Sequence, residues 1–431
     1  MASLRVHNAT VLTMVPGDEP ISPAELVSAD GQIEYVGPQR VDVEESYDET
    51  IDAGGGVLLP GLVNAHTHLA MTLLRGYADD MPLQEWLTTK IWPTEAKLQE
   101  QDVYWGAMLG ILEMLRGGIT CFCDMYHFFN AGTKAAIDGG IRALPSGVLL
   151  SFADKIYNVE QAVEFALEVR KNAPSRIVPM LGPHAPYSCT DEMLRQAAAA
   201  AAEHGLGIHI HLSETADEVQ QVLGATGMRP VAYLDKLGVL DNQVTAAHCV
   251  HVDDAELEML ADKQVGIVHC PTSNMKLASG FAPVLKMLAA GACVGLGTDG
   301  AASNNRLDML QETRMAALEH KAYSGDPGVV KAEEALRMAT VGSARAVGLD
   351  DRVGTLQVGK RADFTIISLQ EAHNQPLHNL YSQLVYAAEA ADVVCTAVDG
   401  VVLYRDGIYP HLDAEHIIAR ANECAHRLVN S

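Results

Sequence analysis

Pro60-Gly61-Leu62-Val63-Asn64-Ala65-His66-Thr67-His68 carries an apolar run straight into two histidines spaced i, i+2. The run Val57 to Val63 reads as a short buried strand. Successive side chains on a strand alternate between faces, so His66 and His68 project to the same side, where two imidazoles can grip one metal ion. A lone His-x-His is equally well explained as polar residues where a strand meets a loop. The weight therefore falls on what lies downstream.

From Val57 to about Gly348, strand-like runs alternate with helical stretches. The segment before Ile119 has Trp105, Met108, Leu109, Leu112 and Leu115 at helical spacing, with Gly117-Gly118 as its stop. Eight strand candidates follow one another: Val57–Val63, Ile119–Cys123, Ile141–Leu144, Ile177–Leu181, Gly207–Leu212, Val244–Ala247, Val265–Val268 and Ala292–Leu296. Such alternation implies parallel strands, and this number closes a (β/α)8 TIM-type barrel over residues 57–349. Residues 1–56 alternate apolar and polar with Gly and Pro punctuation, which reads as short antiparallel strands. Strand-like runs return after Asp350, at Phe364–Ile367, Val393–Val398 and Val401–Tyr404. The expectation is an α/β chain in which 1–56 and 350–431 combine into a small β-sandwich domain, the last stretch of it helical.

The 431-residue chain has a hydrophobic fraction of 48%, enough for a sizeable core. Its formal charge of −25 argues against a nucleic-acid backbone or an anionic membrane surface as partner. Eight cysteines are scattered through apolar runs, which reads as reduced, buried thiols. No charged leader precedes a long apolar stretch and no segment has the length of a membrane span, so a cytoplasmic protein is expected. The oligomeric state stays open, a homo-oligomer being compatible with everything above.

In a barrel of this kind, functional residues sit at the C-terminal strand ends. The first strand ends in His66 and His68, and the fourth in Gly182-Pro183-His184-Ala185-Pro186-Tyr187-Ser188. The fifth runs through His209 and His211 to Ser213-Glu214. The last three end in Ala247-His248-Cys249, His269-Cys270-Pro271-Thr272-Ser273-Asn274 and Gly297-Thr298-Asp299-Gly300. Core packing does not favour titratable side chains converging on one ring. His66, His68, His211 and Asp299 form a plausible shell for one divalent ion such as zinc, with a position left for water. His209 lies one layer deeper and reads as a buried, hydrogen-bonded histidine. Glu214 stands where it can move protons, and His248 where it can orient the water or stabilise developing charge.

Taken in order, these motifs resemble the amidohydrolase superfamily, with Gly354-x4-Gly359-Lys360-x-Ala362-Asp363 completing the set. The resemblance spans nearly the whole chain and implies the same barrel and metal chemistry. Binuclear members use a carboxylated lysine on the fourth strand; Arg176 to Gly182 contains no lysine, so one divalent metal per chain is expected. Leu87-x3-Ile91-Trp92-Pro93-x-Glu95 and Gly182 to Ser188 resemble the 5′-methylthioadenosine/S-adenosylhomocysteine deaminases. That likeness implies contacts to the nucleoside from Glu95 and His184, with Glu95 on the two ribose hydroxyls. It also implies attack at C6 of the purine, with Glu214 protonating a ring nitrogen and Asp299 carrying the water's proton to the leaving amine. His248 would support the tetrahedral adduct.

Members that accept S-adenosylhomocysteine often carry Arg-Gly after the third strand. Here Leu144-Pro145-Ser146-Gly147 sets Ser146 in the arginine's place, so the methylthio substrate or adenosine is favoured unless Lys155 or Arg142 reaches the tail. The competing readings are the same site acting on guanine, a pterin or a chlorotriazine, and a non-catalytic relative kept for assembly. The second fits poorly, because every metal-ligand candidate and the proton-shuttling acid are present.

Overall fold

The computed structural model describes residues 3–41, 46–151 and 158–430. The first strands are β1 (Ser3–Val11), β2 (Ile21–Ala29), β3 (Gln32–Pro38), β4 (Glu49–Asp52) and β5 (Val57–Pro60). The barrel follows with β6 (Leu62–Thr67), β7 (Ile119–Tyr126), β8 (Arg142–Leu149) and β9 (Met180–Pro183). It continues with β10 (Gly207–Leu212), β11 (Val244–His248), β12 (Gly266–His269) and β13 (Cys293–Leu296). Then come β14 (Phe364–Ile367), β15 (Val393–Val398) and β16 (Val401–Arg405).

Strands β6 to β13 pair in sequence order, each parallel to the next, which is the expected barrel. The remaining strands form a separate mixed sheet in the order β16-β15-β14-β5-β1-β2-β3, with β4 also on β1. Side chains from both chain ends share its core, among them Val6, Leu26, Leu58, Phe364 and Val402. Within the first 60 residues only β1, β2 and β3 are antiparallel, whereas β4 and β5 run parallel to β1.

The opening run is two strands rather than one. β5 pairs with β1 and β14 in the mixed sheet, and the barrel begins only at Leu62. The pivot is Gly61, where an added Cβ would lie 2.0 Å from the Thr120 hydroxyl, so no larger residue fits. The third barrel strand runs on to Leu149, five residues beyond the expected end. Pro145 and Ser146 therefore lie inside a strand.

No strand ladder joins β13 to β6 among the described strands; the Asn64 side chain and one backbone bond just past β13 close the gap. The Asn64 carboxamide accepts from the Thr298 N–H at 2.9 Å and donates to the Thr298 hydroxyl at 2.7 Å. The Asp299 N–H then bonds to the His66 carbonyl at 3.0 Å. The terminal helix Ala414–Asn430 buries Ile417, Ala421, Cys424 and Leu428 on one face. It sits beside the barrel helix Glu100–Arg116, where Arg427 pairs with Asp102. All eight cysteines are buried and free. Among the described residues, no helix is long and apolar enough to cross a membrane.

Candidate active site

The strand alternation that exposes His66 and His68 at the barrel mouth also leaves each ring one nitrogen to anchor. The His68 Nδ1–H donates to the Met125 carbonyl at 2.6 Å, and the His211 Nδ1–H to the His184 carbonyl at 2.8 Å. A carbonyl only accepts, so both rings carry their proton on Nδ1 and turn a bare Nε2 inward. His66 reaches the same state through a relay. Ser146 donates to the Asp124 carbonyl at 2.6 Å and so accepts from His209 Nδ1 at 3.2 Å. The freed His209 Nε2 accepts from His66 Nδ1 at 2.7 Å. His66 Nε2 is buried without a hydrogen-bond partner.

The three Nε2 atoms cluster, and Asp299 stands beside two of them. Its Oδ1 lies 3.4 Å from His66 Nε2 and 3.3 Å from His68 Nε2, while His211 Nε2 is 3.2 Å from His68 Nε2. Two donors about 2.0–2.1 Å from one tetrahedral ion are about 3.3–3.4 Å apart, so these separations fit such a shell. The other Asp299 oxygen accepts from Ser273 at 2.6 Å and from Ser303 at 2.8 Å. Burial pushes His66 down to about 4 against the pull of Asp299, and holds His209 and His211 well below the usual imidazole range. His66 is therefore neutral at pH 7, with its Nε2 lone pair free. Burial would raise the Asp299 carboxyl, but His66 and His68 beside it outweigh burial and hold it well below its ordinary value. Lone pairs 3.2 Å apart beside a carboxylate repel unless a cation lies among them. The donor set fits a divalent metal.

Glu214 follows β10 by two residues. The turn is fixed by Glu218, whose carboxylate accepts from the Ser213 and Glu214 N–H groups at 2.9 and 2.7 Å. Burial raises the Glu214 carboxyl despite His248, whose Nε2 is 3.8 Å away. His248 is set by its Nδ1–H on the Asn274 carboxamide oxygen at 2.9 Å; burial would lower it, but Glu214 and Asp299 outweigh that and raise it. Ser213, His248 and Asp299 all hold positive φ, at 51°, 74° and 60°. Each such non-glycine residue stores about 1–3 kcal/mol, held by the surrounding hydrogen bonds.

These groups floor a cavity whose wall is otherwise largely apolar, with Leu83, Trp86, Leu87 and Ile91 prominent. Glu95 lines the cavity from the short helix Trp92–Glu95, 3.7 Å from His127 Nε2. Burial alone would raise its carboxyl, but His127 and Tyr126 hold it lowered. His184 lines the cavity too, its Nδ1 2.8 Å from the Ser188 hydroxyl and its imidazole pushed by burial to about 3. Every candidate ligand and catalytic residue but the fully buried His66 thus lines one cavity, and His66 lies against Asp299 at its floor.

The expectations for the substrate tail need correction. Ser146 is buried inside the barrel beneath His209, and β8 faces the cavity with Val148 instead. Arg142 starts β8 at the opposite barrel end, bound to Asp363 at 2.7 and 2.9 Å and to Asp399 at 2.6 Å, so it cannot reach a substrate. Lys155 lies outside the described residues. The sequence reading also missed His127, Ser303, Ser279 and Glu218. None is marked by spacing, whereas Ser273 and Asn274 sat in a quoted motif.

The amidohydrolase family profile matches residues 57–403. A curated 5-methylthioadenosine/S-adenosylhomocysteine deaminase from Pelotomaculum thermopropionicum is 48% identical over the full length of both chains. One from Moorella thermoacetica is 47% identical over 96% of this chain and 98% of its own. Among solved structures, a zinc-bound adenosine deaminase from Xanthomonas campestris superposes with a TM-score of 0.95 at 36% identity, covering 100% of this chain and 99% of its own. A zinc complex of atrazine chlorohydrolase from Arthrobacter aurescens gives 0.91 at 26%, covering 98% and 100%. The likeness read from the motifs is borne out along the whole chain: this protein belongs to the amidohydrolase family.

Proposed function

We propose that this chain is a metal-dependent hydrolase that converts a 5′-modified adenosine and water into the inosine analogue and ammonia. The observation that carries the reading is the convergence of three bare Nε2 atoms and Asp299 beneath a cavity that also holds Glu214, His248 and Glu95. The full-length relatives named as deaminases support the same substrate class. His66, His68, His211 and Asp299 would hold one ion, zinc by the N3O character of the set and by the zinc in the adenosine deaminase neighbour. When bound, such an ion supplies Lewis acidity that lowers the pKa of water toward about 7.

The chain's own groups do the rest. Glu214, protonated more readily because it is buried, delivers a proton to a purine ring nitrogen as water adds at C6. Asp299 takes the water's proton and returns it to the departing amino group, so that ammonia leaves. Its Oδ2 is oriented for this by Ser273 and Ser303. His248, raised by Glu214 and Asp299, steadies the charge that develops at C6. Glu95 accepts from the two ribose hydroxyls, oriented by His127. His184, on the same cavity lining, also contacts the nucleoside.

The apolar wall of Leu83, Trp86, Leu87 and Ile91 favours a methylthio group or a bare 5′ end over a zwitterionic homocysteine tail. Eight buried free thiols support a reducing compartment, the cytoplasm. The test is kcat/KM for methylthioadenosine, adenosine, S-adenosylhomocysteine and 2′-deoxyadenosine, read from the absorbance change of adenine to hypoxanthine. The expected order sets the first two above the third, and the ribonucleosides above the deoxynucleoside. No turnover of any of the four refutes the reading. A preference for S-adenosylhomocysteine refutes only the assignment of the tail.

A further inference from the structure

A second knot of ligand-type side chains lies outside the cavity, between β12 and the helix Met309–Ser324. His269 shares the outer face of β12 with Ile267, which packs into the same core as Ala316 and Ala317 of that helix. Against it stand Glu319 and His320, all three side chains buried. Both His269 nitrogens, both Glu319 oxygens and His320 Nε2 are without a hydrogen-bond partner. A buried polar group left unsatisfied is costly, so five in one place call for a ligand.

The geometry names its class. One donor from each residue lies within 4.8 Å of the others, and His269 Nε2 is 3.4 Å from Glu319 Oε2. That is the donor spacing found at the active site, between His66 or His68 and Asp299. The imidazole rings of His269 and His320 have centroids 5.2 Å apart and tilt at 39°. A simple ion pair between His269 and Glu319 would engage two of the five atoms and leave His320 out. One cation engages all three residues together. Two imidazoles and a carboxylate suit a borderline divalent ion of the zinc type; calcium and magnesium prefer all-oxygen shells.

We propose that His269, Glu319 and His320 form a second, structural zinc-type site that fastens the helix Met309–Ser324 to barrel strand β12. The ion takes no part in turnover, because its ligands leave the strand on the face opposite the cavity. Binding couples to folding, since the three donors meet only when helix and strand have docked.

Metal content of the purified enzyme, reloaded with zinc and dialysed, tests this. Wild type should hold two equivalents, Glu319→Leu one with kcat/KM unchanged, and His66→Ala the one that Glu319→Leu lost. Wild type with a single equivalent that His66→Ala abolishes overturns the proposal, as does a Glu319→Leu protein that keeps both. A single equivalent kept by His66→Ala and lost in Glu319→Leu would uphold this site and overturn the active-site metal instead. Should Glu319→Leu fail to fold, cobalt(II) titration of the wild-type apoprotein decides. Two successive saturations in the visible spectrum support the second site, and one saturation sinks it.

Discussion

Glu214 owes its position to residues that never touch substrate. Glu218 caps the two N–H groups of its turn, and Ser279 donates to its Oε1 at 3.2 Å. Because it is not needed to complete the Nε2 and Asp299 shell, its role in proton transfer separates from metal binding. Glu214→Gln should retain the metal and lose about 10²–10⁴-fold in kcat. A metal-replete variant turning over at the wild-type rate would remove Glu214 from the chemistry. Glu95 is separable in the same way. Truncation to Ala deprives the ribose hydroxyls of their acceptor, so the gap in kcat/KM between adenosine and 2′-deoxyadenosine should close while the metal stays. A gap that survives the truncation would place the 2′-hydroxyl elsewhere. His127, which has no motif of its own, became visible only as the neighbour of Glu95.

At the scale of elements, the closure between β6 and β13 links stability to the site. Asn64 satisfies both the N–H and the hydroxyl of Thr298, and Asp299 is the next residue. Asn64→Leu leaves the buried Thr298 N–H unpaired, at a cost of about 1–3 kcal/mol, while the Thr298 hydroxyl keeps its bond to the Asp299 carbonyl. We expect a lower Tm together with faster loss of metal on dialysis, because Asp299 is no longer fixed beside His66 and His68. A variant that melts early but holds its metal as tightly as wild type would show that Asp299 is positioned from elsewhere. The same lesson applies to β8. Pro145 inside its sequence read as an end, yet the strand continues to Leu149, because flanking strands and the burial of every residue override the local signal. That extension turns Ser146 into a support for His209 and leaves Val148 to face the cavity.

Across the whole molecule, Arg142 is the rivet between barrel and mixed sheet. It binds Asp363, next to β14, and Asp399, next to β15, from the floor of the barrel. Removing one partner of a buried ion pair costs about 3–5 kcal/mol. Arg142→Ala should therefore lower Tm markedly while KM for methylthioadenosine and S-adenosylhomocysteine is unchanged. A selective rise in KM for the homocysteine substrate would return Arg142 to the substrate tail. The barrel, its strand order and its mouth residues were legible in the sequence, because alternation of periodicity and strand-end placement are local and repeat eight times. His66, His68, His211, Glu214, His248 and Asp299 each sit on that repeat. The chain alone could not tell that Val57–Pro60 belongs to another sheet than Leu62–Thr67, since both are apolar and only Gly61 marks the turn. Nor could it pair Arg142 with Asp363, or His269 with Glu319 and His320. Those contacts join residues dozens to hundreds of positions apart, and only the packing of strand against helix and sheet against barrel brings them together.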